Sequence, residues 1–207
     1  MLIQSLAAEI HQNAVEHGWW DEDRDIYEIV ALIHSEWSEA LEEARAGRPR
    51  VWYACNEADR QICDWVSTDC HYKGHERCLN LHRKPKPEGI CVELADGVIR
   101  ILDFLGYVHA ELADSDTGLP ADMESLWEKS EVLDHAPDEL PTTVAFLHKF
   151  TAEAIPDDGK EFDPAPLTAA MSLAMTWIHA QGIDPLALLL EKHEHNKGRP
   201  YKHGKRF

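Results

Sequence analysis

The chain has 207 residues, of which 44% are hydrophobic and 28% are charged, a composition typical of a single folded domain and unlike that of a disordered chain. No run of about eighteen consecutive apolar residues is present, so the sequence predicts no membrane-spanning helix. The 38 acidic and 20 basic residues give a formal net charge of −18, which disfavours binding to nucleic acid. Segment 1–16 has neither the basic n-region nor the cleavage site of a signal peptide, and we expect a cytoplasmic protein.

The C-terminal segment is basic, although the chain as a whole is acidic. Segment 192–207 carries a net charge of +5. A basic tail on an acidic body suits contact with an anionic ligand, but it equally suits a solubilising tail. The charge pattern alone leaves both interpretations open.

Apolar residues recur at helical spacing along most of the chain, and no segment alternates as a strand would. The spacing predicts helices over residues 3–17, 26–46, 88–111, 121–132, 141–155, 167–181 and 185–196. Asp25 is the expected N-cap of the second helix, and Gly47 is expected to end it. Segment 88–111 is apolar around most of its circumference and should lie in the core of a helical bundle. The sequence therefore predicts an all-α protein.

Segment 47–87 has no clear period, and we interpret it as an insertion between the second and third helices. It contains four evenly spaced cysteines, Cys55, Cys63, Cys70 and Cys78. Histidines lie among them, at His71, His75 and His82. These are candidate ligands of a structural Zn²⁺, which would stabilise a segment poor in apolar residues. Because no CxxC pair is present, free thiols remain the alternative, and Cys91 in the third helix is assigned to the core.

Four acidic residues lie at the edges of the apolar faces of two predicted helices. On a helical wheel, Glu36 and Glu39 flank the apolar stripe of the second helix. Glu93 and Asp96 share with Arg100 a strip that interrupts the apolar third helix. An ionised carboxylate at the edge of a core destabilises the folded state by several kcal/mol unless a cation or a metal ion pairs with it.

Metal ions are favoured over cationic side chains as partners of these acids. The cations on or near the two helices are few, namely Arg24, Arg45 and Arg100. Several carboxylate oxygens without an ordered histidine suit a hard ion, Mg²⁺ or Mn²⁺. The alternative is a solvated acidic face, which fits Glu39, Glu42 and Glu43 better than it fits the apolar surroundings of Glu93 and Asp96.

Two acidic motifs resemble the signature of the MazG-type nucleotide pyrophosphohydrolases, ExxE followed by ExxD. They are SEWSEAL at 35–41 and ELAD at 93–96. Further similarity lies in EIHQNA at 9–14, GWW at 18–20, KPEGI at 86–90 and KHEHNKGRPYKHG at 192–204. The chain departs from the family at Ser35, where the fuller signature EExxE has its first Glu. The 53 residues between Glu39 and Glu93 also exceed the usual gap, so the insertion must fold outside the bundle.

The resemblance implies the all-α NTP pyrophosphatase fold, a four-helix-bundle core usually completed by a homodimer or a dimer of dimers. It also implies Mg²⁺-dependent hydrolysis of an NTP or dNTP to the monophosphate and pyrophosphate. The implied metal ligands are Glu36, Glu39, Glu93 and Asp96, and either Glu36 or Glu39 would instead orient the attacking water. The implied phosphate- or base-binding residues are Lys192, Asn196 and Arg199, which otherwise cap and solvate the last helix.

A second function class fits the departures from the family. Ser35 in place of an acid removes one candidate ligand, and the long insertion suggests a different use of the fold. The alternative is a non-catalytic helical bundle, with a zinc-stabilised insertion, that binds a nucleotide or a partner. Pyrophosphate release from a panel of nucleotides distinguishes the two.

Overall fold

The computed structural model describes residues 1–54, 86–111, 121–128, 139–157 and 159–204, and these ranges are mostly helical. The α-helices within them are α1 (Ile3–Glu16), α2 (Ile26–Arg45), α3 (Ile90–Glu111), α4 (Ser125–Glu128), α5 (Leu140–Glu153), α6 (Ala165–Ala180) and α7 (Pro185–Lys197), and a 3-10 helix spans Tyr201–Gly204. The predicted mainly helical character is confirmed. In these ranges, no helix is both long and apolar enough to cross a membrane.

Local sequence signals account for the helix ends. The Asp25 side chain accepts a hydrogen bond from the Glu28 amide at the start of α2. At the start of α7, the Asp184 side chain accepts one from the Ala187 amide. Such N-caps satisfy backbone donors that a helix leaves unpaired. Beyond the end of α2, Gly47 adopts the left-handed φ of +67°. The predicted ends agree with the observed ones to within a few residues for α1, α2 and α5 to α7.

The sequence prediction was wrong at the base of the insertion. Strand β1 (Trp52–Ala54) pairs antiparallel with β2 (Lys86–Glu88), so residue 88 lies in a strand and not in α3. Three-residue strands are too short for alternation to reveal them. Gly89, with a φ of +110°, separates β2 from α3. Glu43 is also not part of a solvated face, because it is buried and accepts a hydrogen bond of 2.8 Å from Trp52 Nε1.

Helix α3 is the central element, and it contacts α1, α2, α6 and α7. Two glycines let its neighbours approach its backbone. A Cβ on Gly97 would lie 2.2 Å from Cζ3 of the buried Trp37 in α2, and one on Gly106 would lie 2.5 Å from the carbonyl oxygen of Ala7 in α1. The indole Nε1 of Trp37 donates a hydrogen bond of 2.9 Å to Thr151 Oγ1 of α5. The contact between Trp37 and Gly97 therefore brings α2 and α3 together where both carry their acidic residues.

Candidate metal centre

Three of the four predicted metal ligands converge between α2 and α3. Glu36, Glu93 and Asp96 each place a carboxylate oxygen so that the three oxygens lie within 4.8 Å of one another. Glu36 and Glu93 are only 6% and 4% exposed, and Asp96 is half-buried. These residues adjoin Trp37 and Gly97, so the close packing of the two helices positions the cluster.

Glu39 lies one helical turn beyond Glu36 but does not belong to the group of three converging oxygens. Its side chain is exposed and lines the same cleft. Its negative charge raises the pKa values of Glu36 and Glu93, although less than burial does. Glu39 therefore stands at the solvent side of the cluster, close enough to interact with it electrostatically.

The electrostatics of the cluster favour the neutral forms of Glu36 and Glu93 until a cation binds. Burial, followed by the charge of Asp96, raises the pKa of Glu93 to about 8. Burial also raises the pKa of Glu36, and the positive charge of Arg100 opposes this only in part. Carboxyls that are held close together and kept from water provide a strongly attractive site for a divalent cation.

Two cations pair with members of the cluster, which the sequence analysis did not foresee. Arg100 Nε donates a hydrogen bond to Glu36 Oε1, and Lys192 Nζ of α7 lies 2.7 Å from Asp96 Oδ2. Lys192 is 1% exposed; burial lowers its pKa, but the charges of Asp96 and Glu93 outweigh this effect and raise it above the ordinary value. Among the described residues, no cation lies within ion-pair distance of Glu93. Cationic side chains therefore pair with Glu36 and Asp96, whereas Glu93 has no such partner among the described residues.

A cleft extends from the cluster to the C-terminal part of the chain. All three predicted substrate-binding residues, Lys192, Asn196 and Arg199, line it. The Oδ1 atom of Asn196 is buried and has no hydrogen-bond partner among the described residues, so it is available to a ligand donor. The ammonium of Lys192 faces Asp96, so a phosphate would share this cation with a carboxylate. Acidic and basic side chains thus line the same cleft.

Sequence reasoning missed several residues of the cleft. Its walls also include Asn13, Trp19, Arg24, Lys86 and Asp103. Oδ1 of Asp103 accepts a hydrogen bond of 2.9 Å from Trp20 Nε1 and lies 2.9 Å from His11 Nδ1. The segments 9–14, 18–20 and 86–90, which carry part of the resemblance, contain most of these residues. That similarity was the available signal, but it assigned them no role.

The four candidate zinc ligands, Cys55, Cys63, Cys70 and Cys78, lie outside the described residues, and the zinc site stays a prediction. Cys91, in contrast, is buried in α3 as a free thiol. Burial raises the pKa of this thiol to about 12. Its assignment to the core is confirmed.

Comparisons of the chain with protein-family models, curated proteins and solved structures return no match. We therefore infer the function from the geometry of the cleft and from the motifs of the sequence. The convergence of Glu36, Glu93 and Asp96 is the most informative feature of that geometry.

Proposed function

We propose that this protein is a Mg²⁺-dependent nucleoside triphosphate pyrophosphohydrolase with the four-helix core of the MazG type. It would cleave an NTP or dNTP to the monophosphate and pyrophosphate. The observation that supports the proposal is the convergence of three carboxylates in a cleft that also contains Lys192, Asn196 and Arg199. The proposal includes a cytoplasmic homodimer or dimer of dimers, as the resemblance implies.

The donor set fits a hard divalent cation. Among the described residues, the ligand atoms that converge here are carboxylate oxygens, which suit Mg²⁺ or Mn²⁺ better than a softer metal. Glu36, Glu93 and Asp96 would hold the metal, and Glu39 at the solvent side would either join them as a ligand or orient the attacking water. When bound, Mg²⁺ supplies charge neutralisation for the phosphates and lowers the pKa of a bound water. Because Glu93 must lose its proton to become a ligand, the affinity for metal should rise with pH.

The chain's own residues have separate roles in hydrolysis. Glu39 is exposed at the cleft, where its carboxylate is accessible to orient an attacking water. Glu36 is the other candidate for this role, but it is buried and accepts a hydrogen bond from Arg100. The guanidinium of Arg199 matches the bidentate geometry of a phosphate group. Lys192 would stabilise the negative charge of both Asp96 and the phosphates.

The test is pyrophosphate release from a panel of NTPs and dNTPs in the presence of Mg²⁺. Asp96→Asn removes one ligand with little change of shape. Mutation of an outer-shell partner of a metal already lowers metal affinity or activity by about 10–100-fold. Loss of a direct ligand should therefore lower the rate of hydrolysis at least as much. The matched control is Glu42→Gln, at an exposed acid of α2 that pairs with the exposed Arg45. Full hydrolysis by the Asp96→Asn variant would refute the proposal.

The non-catalytic bundle has one specific observation in its favour. Arg100 and Lys192 already pair with Glu36 and Asp96, as they would in a structural ion-pair network. This alternative predicts nucleotide or partner binding without pyrophosphate release. Calorimetric titration of the wild-type protein with each nucleotide, beside the hydrolysis assay, separates the two functions.

A further inference from the structure

Arg100 lies on α3, one helical turn beyond Asp96, and connects this helix to α2. Its Nε atom donates a hydrogen bond to Oε1 of Glu36. The side chain of Glu36 is 8% exposed and that of Arg100 is 29% exposed, so the contact is only partly open to water. Arg100 follows Gly97 by one turn, and the ring of Trp37 lies against the α3 backbone at that glycine. The two helices are therefore close enough for this contact.

The partner of Arg100 is informative, because two acids lie at favourable spacings on its own helix. Asp96 precedes it by four residues, and Asp103 follows it by three. Each of these acids has another partner. Oδ2 of Asp96 lies 2.7 Å from the Lys192 ammonium, and Oδ1 of Asp103 accepts a hydrogen bond of 2.9 Å from Trp20 Nε1. The Nε atom of Arg100 instead bonds across the helix interface, to the buried acid of α2.

This bond leaves Glu36 able to bind a metal ion. A carboxylate has two oxygens with about four acceptor sites, so one N–H does not exhaust them. In the same pose, Glu36 contributes an oxygen that lies within 4.8 Å of oxygens of Glu93 and Asp96. Carboxylates that bind metals are themselves hydrogen-bonded to outer partners, which orient them. Asp96, paired with Lys192 through Oδ2, has a similar arrangement.

We propose that Arg100 is a positioning residue of the metal centre, whose Nε–H holds Glu36 in the pose in which it binds the metal. Without this bond, the Glu36 side chain would have to be ordered when the metal binds, and the affinity for metal would fall. Arg100 itself does not contact the metal and acts only through Glu36. This role rests on the proposed function, because it assumes the metal centre.

Two neutral replacements of Arg100 separate the hydrogen bond from the charge. In Arg100→Gln, the side-chain nitrogen follows the same number of atoms as Nε does in arginine, so the variant keeps an N–H donor without the charge. Arg100→Met has a methyl group at that position and keeps neither. Because a guanidinium repels a divalent cation, loss of the charge alone would strengthen metal binding equally in both variants.

The experiment measures Mn²⁺ binding to the nucleotide-free protein from the electron paramagnetic resonance signal of the free ion. The Kd of Arg100→Gln should equal that of the wild type or be lower. The Kd of Arg100→Met should exceed that of Arg100→Gln by at least about tenfold, as expected for loss of an outer partner. The matched control is Arg45→Met, at an exposed arginine of α2 that pairs with Glu42, and it should bind Mn²⁺ as the wild type does.

Two outcomes would overturn the proposal. Equal Kd values for Arg100→Met and Arg100→Gln would show that the hydrogen bond has no effect. A tenfold difference between them that persists after Glu36→Ala would show that Arg100 does not act through Glu36. Far-UV circular dichroism in EDTA shows whether each variant is folded. Arg100→Leu, which also lacks a donor, replaces Arg100→Met if the latter does not fold.

The measurement does not depend on hydrolysis. The expected Kd values without pyrophosphate release would refute only the proposed function. Pyrophosphate release with equal Kd values for the two variants would refute only the role of Arg100. Absence of Mn²⁺ binding by the wild type would refute the role of Arg100 together with the metal centre.

Discussion

Replacement of Glu93 by glutamine should stabilise the metal-free protein and abolish its response to Mg²⁺. Glu93 is 4% exposed and has a pKa of about 8 instead of its ordinary 4.5. Because the folded pKa is raised, the native state binds the proton more tightly than the unfolded state does. Stability therefore decreases as the pH rises from about 4.5 to about 8. Glutamine does not ionise, so the variant should not lose stability in this way as the pH rises.

The size of the effect follows from the two pKa values. A shift from 4.5 to about 8 corresponds to a loss of about 3 kcal/mol at pH 7 and of less than about 1 kcal/mol at pH 5. We therefore expect Glu93→Gln to be more stable than the wild type by about 3 kcal/mol at pH 7, with a much smaller difference at pH 5. In a chain of this size, about 3 kcal/mol corresponds to an increase in Tm of about 6–12 °C.

The assay is urea denaturation in EDTA at pH 5, 6, 7 and 8, followed by tryptophan fluorescence. Addition of MgCl₂ should then raise the Tm of the wild type but not that of Glu93→Gln. Glu42→Gln, at an exposed ion pair, should change stability by no more than about 0.5 kcal/mol at any pH. A Glu93→Gln variant that is less stable than the wild type, or equally stabilised at pH 5 and pH 8, would refute the electrostatic argument.

Three further substitutions test a packing contact, an ion pair and a helix cap. Gly97→Ala should destabilise the protein by about 1–3 kcal/mol, because its Cβ would lie 2.2 Å from the Trp37 ring. The near-UV circular dichroism of the protein, to which Trp37 contributes, should change as well. An unaltered midpoint of urea denaturation would contradict the close packing of α2 and α3. Lys192→Met removes the buried partner of Asp96 and should lower the free energy of unfolding by about 3–5 kcal/mol in urea denaturation. Full retention of stability by this variant would contradict the ion pair. Asp25→Ala should cost about 1 kcal/mol through loss of the N-cap of α2, and an unchanged midpoint would show that this cap is not formed.

The helices could be predicted from sequence because their signals are local. Apolar spacing along α1, α2 and α3 reports which face of each helix is buried, and Asp25 marks an N-terminus through its own backbone contact. The pairing of β1 with β2 could not be predicted in this way. It joins residues on either side of segment 55–85, and neither three-residue strand carries a periodic signal.

The candidate site could be predicted only in part. The helical wheel identified Glu36, Glu39, Glu93 and Asp96 as acids at the edges of apolar faces, but it could not say which would meet. That depends on the rotation and separation of α2 and α3, which the contact between Trp37 and Gly97 determines. The result places Glu39 outside the converging group.

Only the tertiary structure decided which cations pair with the acidic cluster and how residues 199–204 are held against α1. Lys192 meets Asp96 from another helix, and the ring of His17 meets the carbonyl of Arg199 at the far end of the chain. Contacts of this kind depend on the packing of α7 against α3, so no spacing within either segment encodes them. Sequence periodicity determines which face of a helix is buried, whereas the mutual packing of several helices determines which side chains on those faces meet.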